Sequence, residues 1–241
     1  MTAAGIFVCG SPYADVPTLA WSLGQHEAFA AGPASSFLYS IFGRAAGLSE
    51  PFLYKTYKEA AADGGWLSAN GLAYPDFLRY LGTGVDLMFT DFARGRRWIE
   101  SSLENALWID ELSYMFPRAT FVVPVADPEY VLRVMLHRKA DLSSTELKAA
   151  LETCAVFRDR VAEISARRPD RVIVIEHRAL IADPAHHLAV VLEFVGEDAS
   201  PAPAAFFARQ PLLCGLRASA LARQYGLVNP PAELDALIRA I

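Results

Sequence analysis

Two hydrophobic periods alternate along the chain. Ile6–Cys9 is a short unbroken apolar run bounded by Gly5 and Gly10, the pattern of a strand buried on both faces of a parallel sheet. Arg97–Ile99, Thr120–Val125 (TFVVPV) and Arg171–Glu176 (RVIVIE) predict three more strands. Pro124 predicts an irregular end or a bulge in the third of them. Between the strands the spacing is helical. Thr18–Leu23 opens a helix with Pro17 near its first turn, where proline is tolerated. Residues 37–95 repeat apolar positions at Phe37, Leu38, Ile41 and Phe42, then at Phe77, Leu78, Leu81, Val85 and Phe89, with breaks at Gly64-Gly65 and Pro75. Asn105–Phe116, a stretch from Asp127-Pro128 to about His137, Ser143–Arg167 and Leu188–Val195 read as further helices. Ser143 and Ser144 are candidate caps for the long one, and Gly196 closes the last. The tail from Pro201 is Ala- and Pro-rich, then helical again; Ala28–Ser36 reads as a connection of small residues.

Strand and helix in alternation predict an α/β protein, a three-layer parallel sheet flanked by helices on both faces. The 241 residues carry no internal repeat or low-complexity linker, so one domain over residues 1–241 is expected. Hydrophobic residues make up 53% and charged residues 20%, enough apolar surface for a large core.

The formal net charge is −5 with no basic run, which argues against nucleic-acid binding. Cys9, Cys154 and Cys214 are far apart and odd in number, the pattern of buried free thiols in a reducing compartment. The N-terminus MTAAGIFV lacks a basic segment, and no run reaches ~18 apolar residues. A cytoplasmic protein without a membrane segment is expected. His186-His187 lacks ligand partners at useful spacing, so no metal site is expected. Arg96-Arg97 and Arg167-Arg168 read as solvated ends of elements.

The segment GIFVCGSPYADVPTLAWSLGQH, Gly5–His26, has the strand–turn–helix layout that points backbone N–H groups and a helix dipole at one spot. Loops that grip phosphate add glycine, a cation and hydroxyls. Here the loop offers Tyr13, Ala14, Asp15, Val16 and Pro17. Asp15 brings negative charge, and Pro17 removes an N–H.

Three segments in order resemble bacterial PAPS-dependent sulfotransferases. GSPYADVPTLAWSLGQH resembles the 5′-phosphosulfate loop in length and in Gly10, Pro12, Leu19 and His26. RRWIESSLENALWIDELSYMFPRATFVVPVADPEYVLRVM resembles the Trp-x-Glu-Lys-Thr-Pro helix entry, the Phe-Pro-x-Ala-x-Phe strand entry and the Arg-Asp-Pro segment that binds the 3′-phosphate. RVIVIEHRALIADPAHHLAVVLEFVG resembles the late strand and helix. The resemblance spans most of residues 5–196. It implies the P-loop-like sulfotransferase fold, PAPS as sulfuryl donor (leaving PAP), and a hydroxyl or amine acceptor. By resemblance the cosubstrate site falls on Gly10, Ser11, Pro12, Tyr13, Ala14, Asp15, Val16 and Asp127.

The family's characteristic residues are replaced together. Where the loop usually carries Arg or Lys, then Ser, Gly and two Thr, this chain has Tyr13–Pro17. A Glu that can serve as base falls near Ala34. The helix-entry Lys falls at Ser101, the Arg of Arg-Asp-Pro at Ala126, a following Ser at Val134, and the late Tyr-Glu at His177-Arg178. Each charge-assisted hydrogen bond to a polyanion is worth ~1.5–3 kcal/mol. A combined loss of ~5 kcal/mol lowers affinity more than a thousandfold.

The expectation is a divergent or inactive family member, a pseudoenzyme that binds a small ligand or a partner. Two other readings stay open. One is an active transferase holding PAPS through backbone N–H groups of residues 11–16 and Arg133, one turn into the helix after Asp127-Pro128. The other is a non-catalytic interaction subunit, favoured by an exposed apolar patch near Phe206-Phe207. Glu100, Asp15 and Tyr13 are the catalytic candidates. Structural roles compete for Glu100 as a helix cap, Asp127 as an N-cap, and His26 as a cation at a helix C-terminus. Tyr54, Tyr57, Trp66 and Tyr74 point to an apolar or aromatic acceptor.

Overall fold

The computed structural model describes residues 4–43, 51–138 and 143–210. In chain order the elements are β1 (Ile6–Val8), α1 (Val16–Leu23), β2 (Phe29–Ala31), α2 (Phe37–Phe42), α3 (Phe52–Ala60), α4 (Trp66–Ala69) and α5 (Tyr74–Ala93). There follow β3 (Arg97–Glu100), a 3₁₀ segment (Leu103–Trp108), α6 (Ile109–Met115), β4 (Thr120–Val125) and α7 (Pro128–Arg138). The described chain ends with α8 (Ser144–Arg167), β5 (Val172–Glu176), α9 (His177–Ala182), α10 (Pro184–Phe194) and α11 (Pro201–Arg209).

The strands form one parallel sheet in the order β2-β3-β1-β4-β5. The strand at Phe29–Ala31 lies within the segment read as a connection. Three residues, two of them alanine, give too short an apolar run to stand out. Pro124 causes no bulge: β4 and β5 stay in register from Phe121↔Val172 to Val125↔Glu176. The predicted helix over 105–116 is divided, its first part wound as the 3₁₀ segment.

Alternation along the strands sorts the core onto two faces. Ile6, Val8, Ile99, Val122 and Ile175 join Leu19, Leu23, Leu188 and Leu192 on one side. Phe7, Cys9, Trp98, Phe121 and Val123 join Leu78, Leu112, Phe157 and Val161 on the other. The second face is aromatic: Phe7 stacks on Phe121 at 5.1 Å and meets Trp98 edge-on at 5.2 Å. Such pairs add ~0.5–1.5 kcal/mol each beyond area burial. α8 starts with a full capping box, Ser143 and Glu146 each serving the other's backbone N–H.

Two arginine pairs are not simply solvated. Arg97 donates to Ala4 O (2.7 Å) and Val195 O (2.7 Å) and pairs with Glu197 (2.8 Å). Arg160, Arg167 and Arg168 converge on Asp110 at 3.0, 2.8 and 3.3 Å. Burial pushes the Asp110 carboxyl up, but these three guanidiniums outweigh it and hold the group below its usual range. Among the described residues no helix is long and apolar enough to cross a membrane, and no group of three or more His, Cys, Asp or Glu is placed to hold a metal ion.

Candidate functional site

In an open parallel sheet, loops at the carboxyl ends of the strands form the crevice where ligands bind, at the point where strand order reverses. Here that point is β1, flanked by β3 and β4. The loop after β1 therefore lies between the turns that follow β3 and β4.

That loop is folded inward. Gly10 N–H donates to Leu103 O (3.2 Å), Ser11 N–H to Pro124 O (3.2 Å) and Ala14 N–H to Ser11 O (3.3 Å). Pro12 has no N–H. Ser11 Oγ accepts from Ala126 N–H at 2.8 Å, so residue 11 is fastened to the end of β4 twice. A Cβ on Gly10 would lie 2.2 Å from Pro124 O, which restricts position 10 to glycine. Residues 1–43 contain no Lys or Arg.

Two non-glycine residues of the loop take left-handed backbone, Tyr13 (φ 66°) and Asp15 (φ 51°). This conformation costs ~1–2 kcal/mol per residue and persists where the surroundings enforce it. At Asp15 the enforcing contacts are visible. Its side chain is fully buried, with Oδ2 2.9 Å from His177 Nε2 and 3.4 Å from the Tyr130 hydroxyl. The Tyr130 and His177 rings meet edge-on at 4.7 Å. Asp15 thus turns away from the mouth of the crevice, and its charge is answered from the starts of α7 and α9. With the proton on Nε2, His177 keeps Nδ1 as an acceptor, and this buried atom has no hydrogen-bond partner among the described residues.

Glu100, at the end of β3, is 3% exposed. Its Oε1 accepts from Ser35 N–H (3.0 Å), Ser35 Oγ (2.8 Å) and Ser102 Oγ (2.6 Å). Its Oε2 accepts from Ser102 N–H (3.0 Å) and from Asn105 Nδ2. Ser36 N–H donates to Ser102 Oγ at 2.9 Å. The carboxylate thus ties the loop after β2 to the turn after β3, a wider task than capping one helix. Ser101 Oγ is buried beside it with no partner among the described residues.

Asp127 caps α7, accepting from Tyr130 N–H at 2.9 Å, and pairs with Arg178, which also reaches Glu129 at 3.1 Å. Position 133 is in α7, but its side chain lies outside the described residues. His26 is not placed as a cation. Its Nδ1 accepts from Ala28 N–H (3.2 Å), which leaves Nε2 to donate to Asp198 O (3.2 Å), a neutral ring. Tyr74 packs against Tyr54 and Tyr57, both at 5.1 Å, and its hydroxyl is pushed up by burial, then by Glu111 and Tyr54. Trp66 stands apart, 70% exposed. Phe207 is buried and Phe206 half-buried, so they form no exposed patch; Cys214 lies outside the described residues.

The structure thus gathers Gly10, Ser11, Asp15 and Asp127 around the ends of β1 and β4, with Glu100 at the end of β3. His177, Tyr130 and Ala126 complete the arrangement: Ala126 and His177 stand where the resemblance set family residues, while no local sequence pattern marks Tyr130. Asp15 and His177 are 162 positions apart.

A model of the Sulfotransferase family matches residues 20–201, starting within α1. The fold is similar to a sulfotransferase domain from the Synechococcus PCC 7002 olefin synthase, with 18% identity, a TM-score of 0.61, and 98% of this chain and 94% of that one covered. It is also similar to the sulfotransferase domain from the curacin biosynthetic pathway, at 15% identity, TM-score 0.58, and 98% and 96% coverage. A sulfotransferase from Alicyclobacillus acidocaldarius gives 14% identity, TM-score 0.52, and 99% and 97% coverage. No curated sequence matches the chain.

Proposed function

Since the chain belongs to the sulfotransferase family, we propose that it is a divergent member that keeps the family's sheet and crevice but does not hold PAPS at the loop after β1. It acts by binding a small ligand rather than by transferring a sulfuryl group. The family generally uses PAPS, a polyanion whose recognition needs donors and positive charge. The observation that carries the reading is the state of the loop. Its N–H groups at Gly10, Ser11 and Ala14 are bonded to carbonyls of the protein. The acidic residue it contributes, Asp15, is paired inside with His177. Glu100, the buried catalytic candidate at the end of β3, has both oxygens engaged by serine and asparagine donors. These contacts support a crevice organised for its own rigidity.

Calorimetric titration with PAP tests the reading. No saturable heat is expected up to about millimolar ligand, some 4 kcal/mol of binding free energy. Micromolar binding, or sulfuryl transfer from PAPS to a phenolic acceptor, would overturn it.

A further inference from the structure

α5 is apolar over more of its circumference than its packing covers. Leu78, Gly82 and Ala93 are buried against the protein, with Val85 and Phe89 packed beside them. Turned away from these lie Tyr80 (62% exposed), Leu81 (38%), Leu87 (61%), Met88 (50%) and Phe92 (54%). A helix that is apolar nearly all round is a buried helix. We propose that this second face is covered by the same face of another copy of the chain, the two α5 helices crossing antiparallel at Gly84.

Gly84 points to that arrangement. It is exposed in the middle of the helix, where glycine costs ~0.5–1 kcal/mol relative to alanine. A Cβ there would meet nothing within 4 Å, so no contact inside the protomer requires glycine. Gly82 differs, since its Cβ would fall 2.1 Å from Met115 O. At position 84 the missing side chain serves an approach from outside, letting a second helix axis come close.

The stripe is also its own complement about that residue. At about 100° per residue, Tyr80, Leu81, Leu87 and Met88 all fall within roughly 60° of Gly84. Leu81 and Leu87 lie three residues to either side of it, Tyr80 and Met88 four. An antiparallel two-fold at Gly84 sets Leu81 of one copy against Leu87 of the other. It sets Tyr80 against the Met88 thioether, a favourable sulfur–aromatic pair. Asp91 is the charge in the same arc. The antiparallel sense keeps the two Asp91 residues about 20 Å apart along the helices, whereas a parallel pair would oppose them. The five exposed side chains present about 500 Å² per copy. Over the pair that is about 1,000 Å², the size a specific interface must reach.

Sedimentation velocity of the full chain over a concentration series tests the proposal. A monomer–dimer equilibrium in the micromolar range is expected, the weak end for an interface of this small size. Gly84→Arg, whose side chain enters open space in the monomer, should leave only monomer up to a few hundred micromolar, with the circular dichroism spectrum unchanged. Leu87→Asp should do the same. In a Cys214→Ser background, where Cys9 and Cys154 stay buried, Gly84→Cys should give a disulfide-linked dimer on mild oxidation. Glu152→Cys, exposed on α8, should not. A wild-type chain that stays monomeric, a dimer that survives Gly84→Arg and Leu87→Asp in folded protein, or equal cross-linking at positions 84 and 152 overturns the proposal. None of these readouts depends on whether PAP binds.

Discussion

His177 Nε2 lies 2.9 Å from Asp15 Oδ2, and both side chains are all but inaccessible to water. The contact joins the residue that precedes α1 to the first residue of α9. Removing one partner takes the closest contact from a buried polar group, whereas removing both takes the two buried polar groups away together. His177→Ala or Asp15→Ala should each lose about 3 kcal/mol of stability. The double variant should lose clearly less than the sum. Urea denaturation of the four proteins provides the cycle; strict additivity would mean that the two side chains are not coupled.

Glu100→Gln should destabilise the protein despite its near-identical shape. Oε1 faces Ser35 N–H and Oε2 faces Ser102 N–H, two donors that cannot rotate. Either placement of the glutamine amide sets N–H against N–H. The expected loss is about 2 kcal/mol, read from the midpoint of chemical denaturation. Because Ser35 and Ser36 hang on this network, proteolysis of the loop after β2 should accelerate in parallel.

Asp110 sets part of the acid sensitivity. Its folded carboxyl is held below the unfolded value by Arg167, Arg160 and Arg168, against the opposing push of burial. Its contribution is therefore present above the unfolded value of about 4 and is lost as pH falls through the lower folded value. Asp110→Asn should reduce stability at pH 6 and flatten the loss on acidification below about pH 4. Salt should weaken the wild-type advantage at pH 6, because the arginines are partly exposed.

Two thiols should be silent in the native protein. Burial, and after it the Glu100 carboxylate, pushes Cys9 well above its ordinary range; burial takes Cys154 up to about 11. Both are buried and protonated at neutral pH. Maleimide labelling followed by peptide mapping should show Cys9 and Cys154 modified only after denaturant is added. Fast native labelling of either would contradict its placement.

The sheet was legible where apolar runs were long or glycine-bounded, as in Ile6–Cys9 and RVIVIE. Phe29–Ala31 was not, since an edge strand of three residues needs only one large side chain to anchor it. Within the site, the absence of Lys and Arg from Tyr13–Pro17 could be read residue by residue. The inward turn of Asp15 could not, because it depends on a histidine brought near by the sheet. Glu100 was visible as a candidate, but its five donors come from two different loops. His26 failed as a helix-end cation because a backbone N–H two residues on takes its ring nitrogen.

The double fastening of Ser11 to β4, with glycine obligatory before it, bears on how this chain could change trade. On the proposed reading, grafting a cation and hydroxyls onto positions 13–17 would leave the N–H groups of Gly10, Ser11 and Ala14 bonded to protein carbonyls. A gain of anion binding would need the Asp15–His177 clasp released in the same step, with loss of the interior support that clasp provides. Single substitutions there would then cost stability before they returned any affinity, a barrier that keeps the two designs apart.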